Sequence, residues 1–319
     1  MPPMDFTVAG PRCAVHDAYC AYYGLDVDVD RPQVDYHLGY LICDTFRLAT
    51  HYYRQPGSRG TAFLLHGFFD HAGLYSRLIT HCLDQQLDVL IFDLPGHGLS
   101  SGEQASIRSF TQYRRVLGQV MDASRPHVKQ PWVAVGQSTG GALLIDYLLM
   151  HGHDRRSSAF AAVVLLAPLI RPAGFSSVKV LHSVLKPFFR TWKRGFALNS
   201  SDPAFVHFQQ YHDPLQSQVL AVEWVSALRK WVNQIEAAAP VKFHLTVIQG
   251  EQDTTVAWRH NLRVLRRKFS YVQVFQIAQG RHHLVNESGP ILAAVFDAVN
   301  QAFDKVLPPV ETPQEPTSE

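Results

Sequence analysis

Short apolar runs alternate along this chain with stretches of helical periodicity, and that alternation predicts its class. Thr61-Ala62-Phe63-Leu64-Leu65, Val89-Leu90-Ile91-Phe92, Trp132-Val133-Ala134-Val135 and the segment from Ala161 to Leu166 are continuous apolar runs. Their length suits strands buried on both faces. Between them lie predicted helices, from about Leu74 to Gln86, from about Ile107 to Ala123, and from Ala142 to Met150. Strands alternating with helices imply a mostly parallel sheet covered on both sides. Tyr36 to Tyr53 reads as two antiparallel strands turning at Cys43-Asp44-Thr45. Two later strands, Phe243 to Ile248 and Tyr271 to Ile277, complete the set, and there is no internal repeat.

The alternation stops at Pro168. From Arg171 to about Pro240 the pattern is helical, and a structureless loop of that length is improbable. It reads as an insertion over the sheet, a cap. Trp224, Leu228 and Trp231 fit ordinary helix packing. Val178, Leu181, Leu185, Phe188 and Phe189 also recur at helical spacing, among Arg171, Lys179, Lys186, Arg190, Lys193 and Arg194, with no acid from 171 to 195. A basic amphipathic face suits an anionic lipid surface, and it equally suits plain solvation. The division expected is an N-terminal extension over 1–35, a core over 36–170 and 241–306, the cap over 171–240, and a tail over 307–319. The tail is rich in Pro, Thr and Glu, a composition of disorder.

Chemistry is concentrated where strands end. Gly136-Gln137-Ser138-Thr139-Gly140-Gly141 sits between a strand and a helix. Gly-x-Ser-x-Gly in that context is a nucleophile elbow, with Ser138 lifted above the sheet edge. Its glycines give the tight turn room. An elbow serine needs a base and an acid that orients the base. In this architecture they follow in the order serine, acid, histidine. Gly250-Glu251-Gln252-Asp253 follows one strand and Gln279-Gly280-Arg281-His282-His283 follows the next, placing both at the carboxyl ends of strands. Asp253 would fix the imidazole tautomer and stabilise the imidazolium. A histidine of this pair, His282 or its neighbour, would take the Ser138 proton and return it to the leaving group. After strand 61–65, His66-Gly67-Phe68-Phe69 would aim the Phe68 N–H at the reacting carbonyl, with the Thr139 N–H as partner.

Taken in order, these motifs resemble one family. His66-Gly67-Phe68-Phe69-Asp70-His71, Asp93-Leu94-Pro95-Gly96-His97-Gly98-Leu99-Ser100, the elbow, Gly250 to Asp253, and His282-His283-Leu284-Val285-Asn286-Glu287 are similar to the α/β-hydrolases of the monoacylglycerol lipase and lysophospholipase group, the serine aminopeptidase S33 set. The resemblance spans about Tyr36 to Ala302. It implies an α/β-hydrolase fold with Ser138 as nucleophile, Asp253 as acid and His282 as base. The family's Asn-Glu or Lys-Glu pair after its catalytic histidine, here Asn286-Glu287, selects His282 over His283. The chain departs from the usual pattern at Asp70, where Glu is common, and at Gln137 and Thr139, where His and Met are common.

Composition then narrows the setting. With 319 residues, 46% hydrophobic and 18% charged, the chain can bury one large core. A net charge of +2 gives no global attraction to nucleic acid. Cys13, Cys20, Cys43 and Cys82 lack metal-ligand spacing and fit reduced thiols, with a Cys13–Cys20 bridge still open. The start, Met1-Pro2-Pro3-Met4-Asp5-Phe6, has no signal-peptide pattern, and no run approaches the ~18 apolar residues of a membrane span. The expectation is a cytoplasmic serine ester hydrolase with peripheral contact at an anionic membrane and no cofactor or metal. It would act on single-chain acyl esters, monoacylglycerol- or lysophospholipid-like, through an acyl-enzyme. An aminopeptidase or amidase on the same scaffold is the first rival. A peptidase needs an acid for the substrate amine, and the cap offers few, among them Asp202, Asp213 and Glu223. A non-catalytic binding protein of this fold is the second rival.

Overall fold

The apolar runs become one eight-stranded sheet in the computed structural model, which describes residues 1–9, 13–154 and 156–310. In chain order the strands are β1 (Asp35–Cys43), β2 (Phe46–Arg54), β3 (Thr61–Leu65), β4 (Asp88–Phe92), β5 (Trp132–Gln137), β6 (Phe160–Leu166), the short β7 (Thr191–Lys193) and β8 (Val219–Ala221), β9 (Val241–Gly250) and β10 (Phe269–Ile277). The sheet order is β1-β2-β4-β3-β5-β6-β9-β10, and β7 pairs only with β8. From β4 to β10 all neighbours are parallel. β1 and β2 form the expected hairpin, and β2 joins β4 antiparallel.

Every residue of β3, β4 and β5 is buried. Side chains alternate across a strand, so each strand feeds two cores. Phe63, Leu65, Leu90 and Phe92 face one; Ala62, Leu64, Val89 and Ile91 face the other. The helices are α1 (Ala14–Tyr23), α2 (Val27–Asp30), α3 (Ser76–Asp84), α4 (Phe110–Ser124), α5 (Thr139–Met150), α6 (Phe175–Leu185), α7 (Pro203–Tyr211), α8 (Val222–Ala237), α9 (Trp258–Lys268) and α10 (Gly289–Phe303). α4, α8 and α9 pack on the first core, α3 and α10 on the second. Strand order reverses around β3, because β4 lies on one side of it and β5 on the other. Such a switch point opens a crevice at the strands' carboxyl ends, and the His66 loop and Ser138 both emerge there.

The 1–35 segment lies on this core. Tyr40 donates its N–H to the Pro2 carbonyl and receives that of Met4, while Cys20, Tyr23 and Leu25 are buried. All four cysteines are free thiols. At the start of the expected tail, Leu307 is buried and the Pro308 carbonyl accepts from Arg59. Residues 311–319 of that expected tail lie outside the described residues. No helix among the described residues is long and apolar enough to cross a membrane.

The 171–240 stretch holds α6, α7 and α8, but it is not purely helical. The β7–β8 pair and a run through residues 194–202 with no regular structure interrupt it. Trp224, Leu228 and Trp231 are buried as the periodicity implies. The basic, apolar stretch through α6 and the residues up to Lys193 behaves differently, because the helix stops at Leu185 and does not carry the helical spacing on to Phe188 and Phe189. Leu181 and Phe189 are 51% exposed and Phe188 78%, beside exposed Lys179, Lys186, Arg190 and Lys193. Two basic residues of the expected face leave it: Arg171 pairs with Glu236 and Arg194 turns inward.

One buried acid ties α8 to α4 and α5 and makes a testable pH dependence. Asp146 on α5 accepts from Trp231 Nε1 at 2.9 Å and pairs with Arg114 at 3.0 Å. Burial outweighs both and pushes its carboxyl up to about 6. With the folded pKa above the unfolded one, the native state binds the extra proton between about pH 4 and 6. Stability from this group therefore falls as pH rises through that window, by an amount on the order of 3 kcal/mol. Asp146→Asn removes the titration. Its Tm relative to the parent should climb by several degrees between pH 4.5 and 7.5, read by calorimetry; a constant difference would show that Asp146 titrates normally.

Candidate active site

The turn after β5 explains its glycines. A Cβ on Gly136 would lie 2.6 Å from the Gly140 carbonyl carbon, and one on Gly140 would lie 2.1 Å from the Leu65 oxygen. No side chain fits either place. Ser138 sits at φ 52, ψ −108, a backbone conformation that costs a non-glycine residue about 1–3 kcal/mol. Its N–H donates to the Leu166 carbonyl at 2.8 Å and its carbonyl receives Ala142 and Leu169 at 3.0 Å each. The surrounding structure thereby holds the strained residue.

The three chemical groups meet over this turn. His282 Nε2 lies 3.0 Å from Ser138 Oγ, and His282 Nδ1 lies 2.8 Å from Asp253 Oδ2. Asp253 also accepts from Gln249 Nε2 and from the N–H groups of Thr255 and Val256. Burial pushes its carboxyl up, but His282 and these donors prevail and hold it below the usual carboxylate range. A charged Asp253 keeps the proton on Nδ1 and leaves Nε2 free to accept from Ser138.

The loop after β3 is braced from below. His66 is fully buried, and burial with the nearby His97 lowers its pKa to about 3. The neutral ring takes the Leu94 N–H on Nε2 at 2.8 Å and gives its Nδ1 proton to the Gly67 carbonyl at 2.7 Å. The Gly67 N–H reaches the Tyr75 hydroxyl at 3.0 Å and Asp70 Oδ2 at 3.2 Å. Gly67 also packs against the elbow: a Cβ there would meet Asp70 Oδ2 at 2.6 Å and Ser138 Cβ at 3.4 Å. Phe68 follows on the cavity wall, and Thr139 opens α5, where the first N–H groups of a helix have no intrahelical partner. Phe68, Ser138 and Thr139 thus line one cleft.

The sequence pattern that defines the serine aminopeptidase S33 family matches residues 56–289. The chain belongs to that family of α/β-hydrolases. Monoglyceride lipase of Rattus norvegicus is 30% identical over 271 residues, covering 78% of this chain and 84% of its own. Phospholipase YtpA of Bacillus subtilis is 23% identical over 255 residues, covering 76% of this chain and 95% of its own. A soluble variant of monoglyceride lipase from Saccharomyces cerevisiae, solved with a substrate analogue, shares the fold at a TM-score of 0.71 and 17% identity, covering 86% and 96% of the two chains.

In this S33 hydrolase two of the three positions that depart from the usual pattern, Gln137 and Asp70, have visible jobs. Gln137 Nε2 donates to the His282 carbonyl at 2.7 Å, fixing the histidine loop against the elbow. Asp70 accepts from Tyr75 Oη at 3.0 Å and has His283 Nε2 3.2 Å away. Burial raises the Asp70 carboxyl, but His283 and the hydrogen bonds hold it below the ordinary range. His283 therefore points away from Ser138 and into the support of the β3 loop. Glu287 receives the N–H of Arg281 and, at 2.7 Å, that of Ser201, so it joins the histidine loop to the 194–202 run. Sequence reasoning missed these supports. Only the unusual identities of Gln137 and Asp70 hinted at them.

Above the three groups lies a cleft of about 700 Å³ of empty space, part of it open to solvent. Its walls are mostly apolar, including Phe68, Leu169, Val256 and Trp224, with Trp224 stacked on Phe68 at 3.8 Å. Besides His282, the one ionisable side chain among the described residues of its lining is Arg194.

Proposed function

We propose that this protein is a serine ester hydrolase acting on single-chain acyl esters through an acyl-enzyme. The observation that carries the reading is the Ser138–His282–Asp253 relay at 3.0 and 2.8 Å beneath an apolar cleft. Ser138 Oγ attacks the ester carbonyl while His282 Nε2 takes its proton. The tetrahedral oxyanion is held by the Phe68 and Thr139 N–H groups, aided by the positive end of α5. Collapse expels the alcohol, which receives the proton from His282. Water then attacks the acyl-enzyme, giving its proton to His282, and the acid leaves as Ser138 regains its hydrogen. The 171–240 insertion serves as a cap whose Trp224 shapes the acyl wall.

An S33 scaffold also suits an aminopeptidase, whose substrate carries a cationic amine. Arg194 in the cleft would repel that amine, and no carboxylate lies among the described residues of the lining. Esters of a fatty acid with glycerol or glycerophosphate fit the apolar wall better. Rates over p-nitrophenyl esters of rising chain length, a monoacylglycerol, a lysophosphatidylcholine and aminoacyl anilides test the reading. Ester turnover should exceed anilide turnover by orders of magnitude, and the reverse order would establish the peptidase.

The exposed stretch from Lys186 to Lys193, after α6, supports a second part of the reading, docking at an anionic lipid surface. Phe188 and Phe189 offer apolar anchors beside Lys186, Arg190 and Lys193. Each basic residue near such a surface is worth about 1 kcal/mol. Replacing all three with Gln should weaken binding to anionic vesicles on the order of 100-fold, and raising salt should weaken the parent's binding too. Equal binding of parent and triple variant in co-sedimentation would leave this face as solvated surface only.

A further inference from the structure

The geometry points to Arg194 as the anion-binding residue of the substrate cleft, receiving the phosphate of a phosphorylated glycerol ester. The proposal deepens the ester-hydrolase reading and rests on it. Arg194 leaves β7 and turns its side chain under the insertion into the cleft that holds Ser138 and His282. Its guanidinium carbon lies 4.0 Å over the Phe69 ring, one residue beyond Phe68. The cation is thus seated beside the residue whose N–H faces the reacting carbonyl.

Its protein contacts satisfy only part of it. Nη1 donates to Gln216 Oε1 and, at 3.4 Å, to the Ser217 carbonyl, and the backbone N–H donates to the Gln218 carbonyl. All these acceptors are neutral. No carboxylate lies within ion-pair distance of Arg194 among the described residues, and Nε and Nη2 have no acceptor among them. The nearest acids are engaged elsewhere: Asp213 pairs with His71 at 3.0 Å and Asp70 with His283 at 3.2 Å. Burial lowers the Arg194 pKa against the fields of those two acids, and an arginine remains charged through the physiological range.

A mostly buried cation without a counter-ion is costly to keep. Neighbouring apolar side chains make the cleft a poor solvent for it, and an arriving anion relieves that cost. A guanidinium presents a planar fork that matches two phosphate oxygens at once, and its Phe69 seat fixes the plane. The remaining cleft suits one acyl chain. The substrate class is then an acyl ester of glycerol that carries a phosphate on the alcohol side, favoured over the neutral glycerol ester.

Two soluble substrates isolate the effect from delivery at a lipid surface: 1-butyrylglycerol and 1-butyrylglycerol 3-phosphate. For the parent, kcat/KM should be higher for the phosphate. Arg194→Gln should lower the ratio of the two kcat/KM values on the order of 10- to 100-fold, mainly through KM for the phosphate ester, the range for a lost charged hydrogen bond. Arg194→Lys should recover part of it, because a point charge replaces the fork. Free glycerol 3-phosphate should inhibit the parent at least about tenfold more strongly than glycerol, a comparison that needs no variant. A residue that only props the β7–β8 pair would change both substrates alike. An unchanged ratio in Arg194→Gln, or equal inhibition by glycerol and glycerol 3-phosphate while 1-butyrylglycerol is still hydrolysed, overturns the subsite and leaves the ester reading standing. Turnover of neither ester, with no covalent labelling of Ser138, removes the ester reading and the subsite with it.

Discussion

Ser138→Ala should reduce kcat for p-nitrophenyl butyrate by about 10⁴-fold or more, with the circular dichroism spectrum and Tm close to the parent's. The hydroxyl is the only atom that can form the acyl-enzyme at the elbow, and removing it also removes the purpose of His282 and Asp253. Residual hydrolysis would come from water and the oxyanion donors alone. The fold should survive, because the neighbours that hold residue 138 bond to its backbone N–H and carbonyl, which alanine keeps. Alanine at φ 52 bears the same backbone strain that serine does. Turnover within tenfold of the parent would place the nucleophile elsewhere.

His282→Ala should be nearly as damaging, on the order of 10⁴-fold in kcat, whereas His283→Ala should cost far less. Although adjacent, the two rings point to different partners. His282 bridges Ser138 and Asp253, while His283 lies beside Asp70 and donates its backbone N–H to the Asn199 carbonyl at 2.7 Å. The loss at His283 is expected to stay below the roughly 10²–10³-fold that removal of an oxyanion donor costs, because it loosens the β3 loop without removing a donor. Its signature should be a lowered kcat with little change in KM. Steady-state kinetics on folded variants reads both; equal losses, or a greater loss at His283, would contradict the assignment.

Much of this was legible in the sequence for physical reasons. β3, β4 and β5 are buried on both faces, so apart from Thr61, Asp88 and Gln137 at their ends they read as apolar runs. The elbow needs glycine where a Cβ would meet backbone, so Gly136 and Gly140 mark it. Asp253 and the His282-His283 pair stand out because each follows a strand. Helix starts were less legible: the turn from Ala72 to Tyr75 is 3-10 and α3 begins at Ser76, while α4, capped by Ser109, begins at Phe110, three residues after the periodicity does. Side-chain partners far apart in sequence were not legible. Nothing in local pattern says that Asp70 meets His283, or that Gln137 holds the His282 carbonyl. The direction of Arg194 was hidden for another reason. The two three-residue strands β7 and β8 are too short to show a period, and their pairing turns one cation of a basic run inward while Lys186, Arg190 and Lys193 stay outside.

Covalent labelling reads the activation of Ser138 by His282 most directly. The protein is incubated with an alkyl fluorophosphonate, digested, and the modified peptide sequenced by mass spectrometry, with His282→Ala treated in parallel. One phosphonyl group per chain is expected, on Ser138, forming far more slowly in His282→Ala. Stoichiometric labelling at another residue, or no labelling of a folded parent, would contradict it.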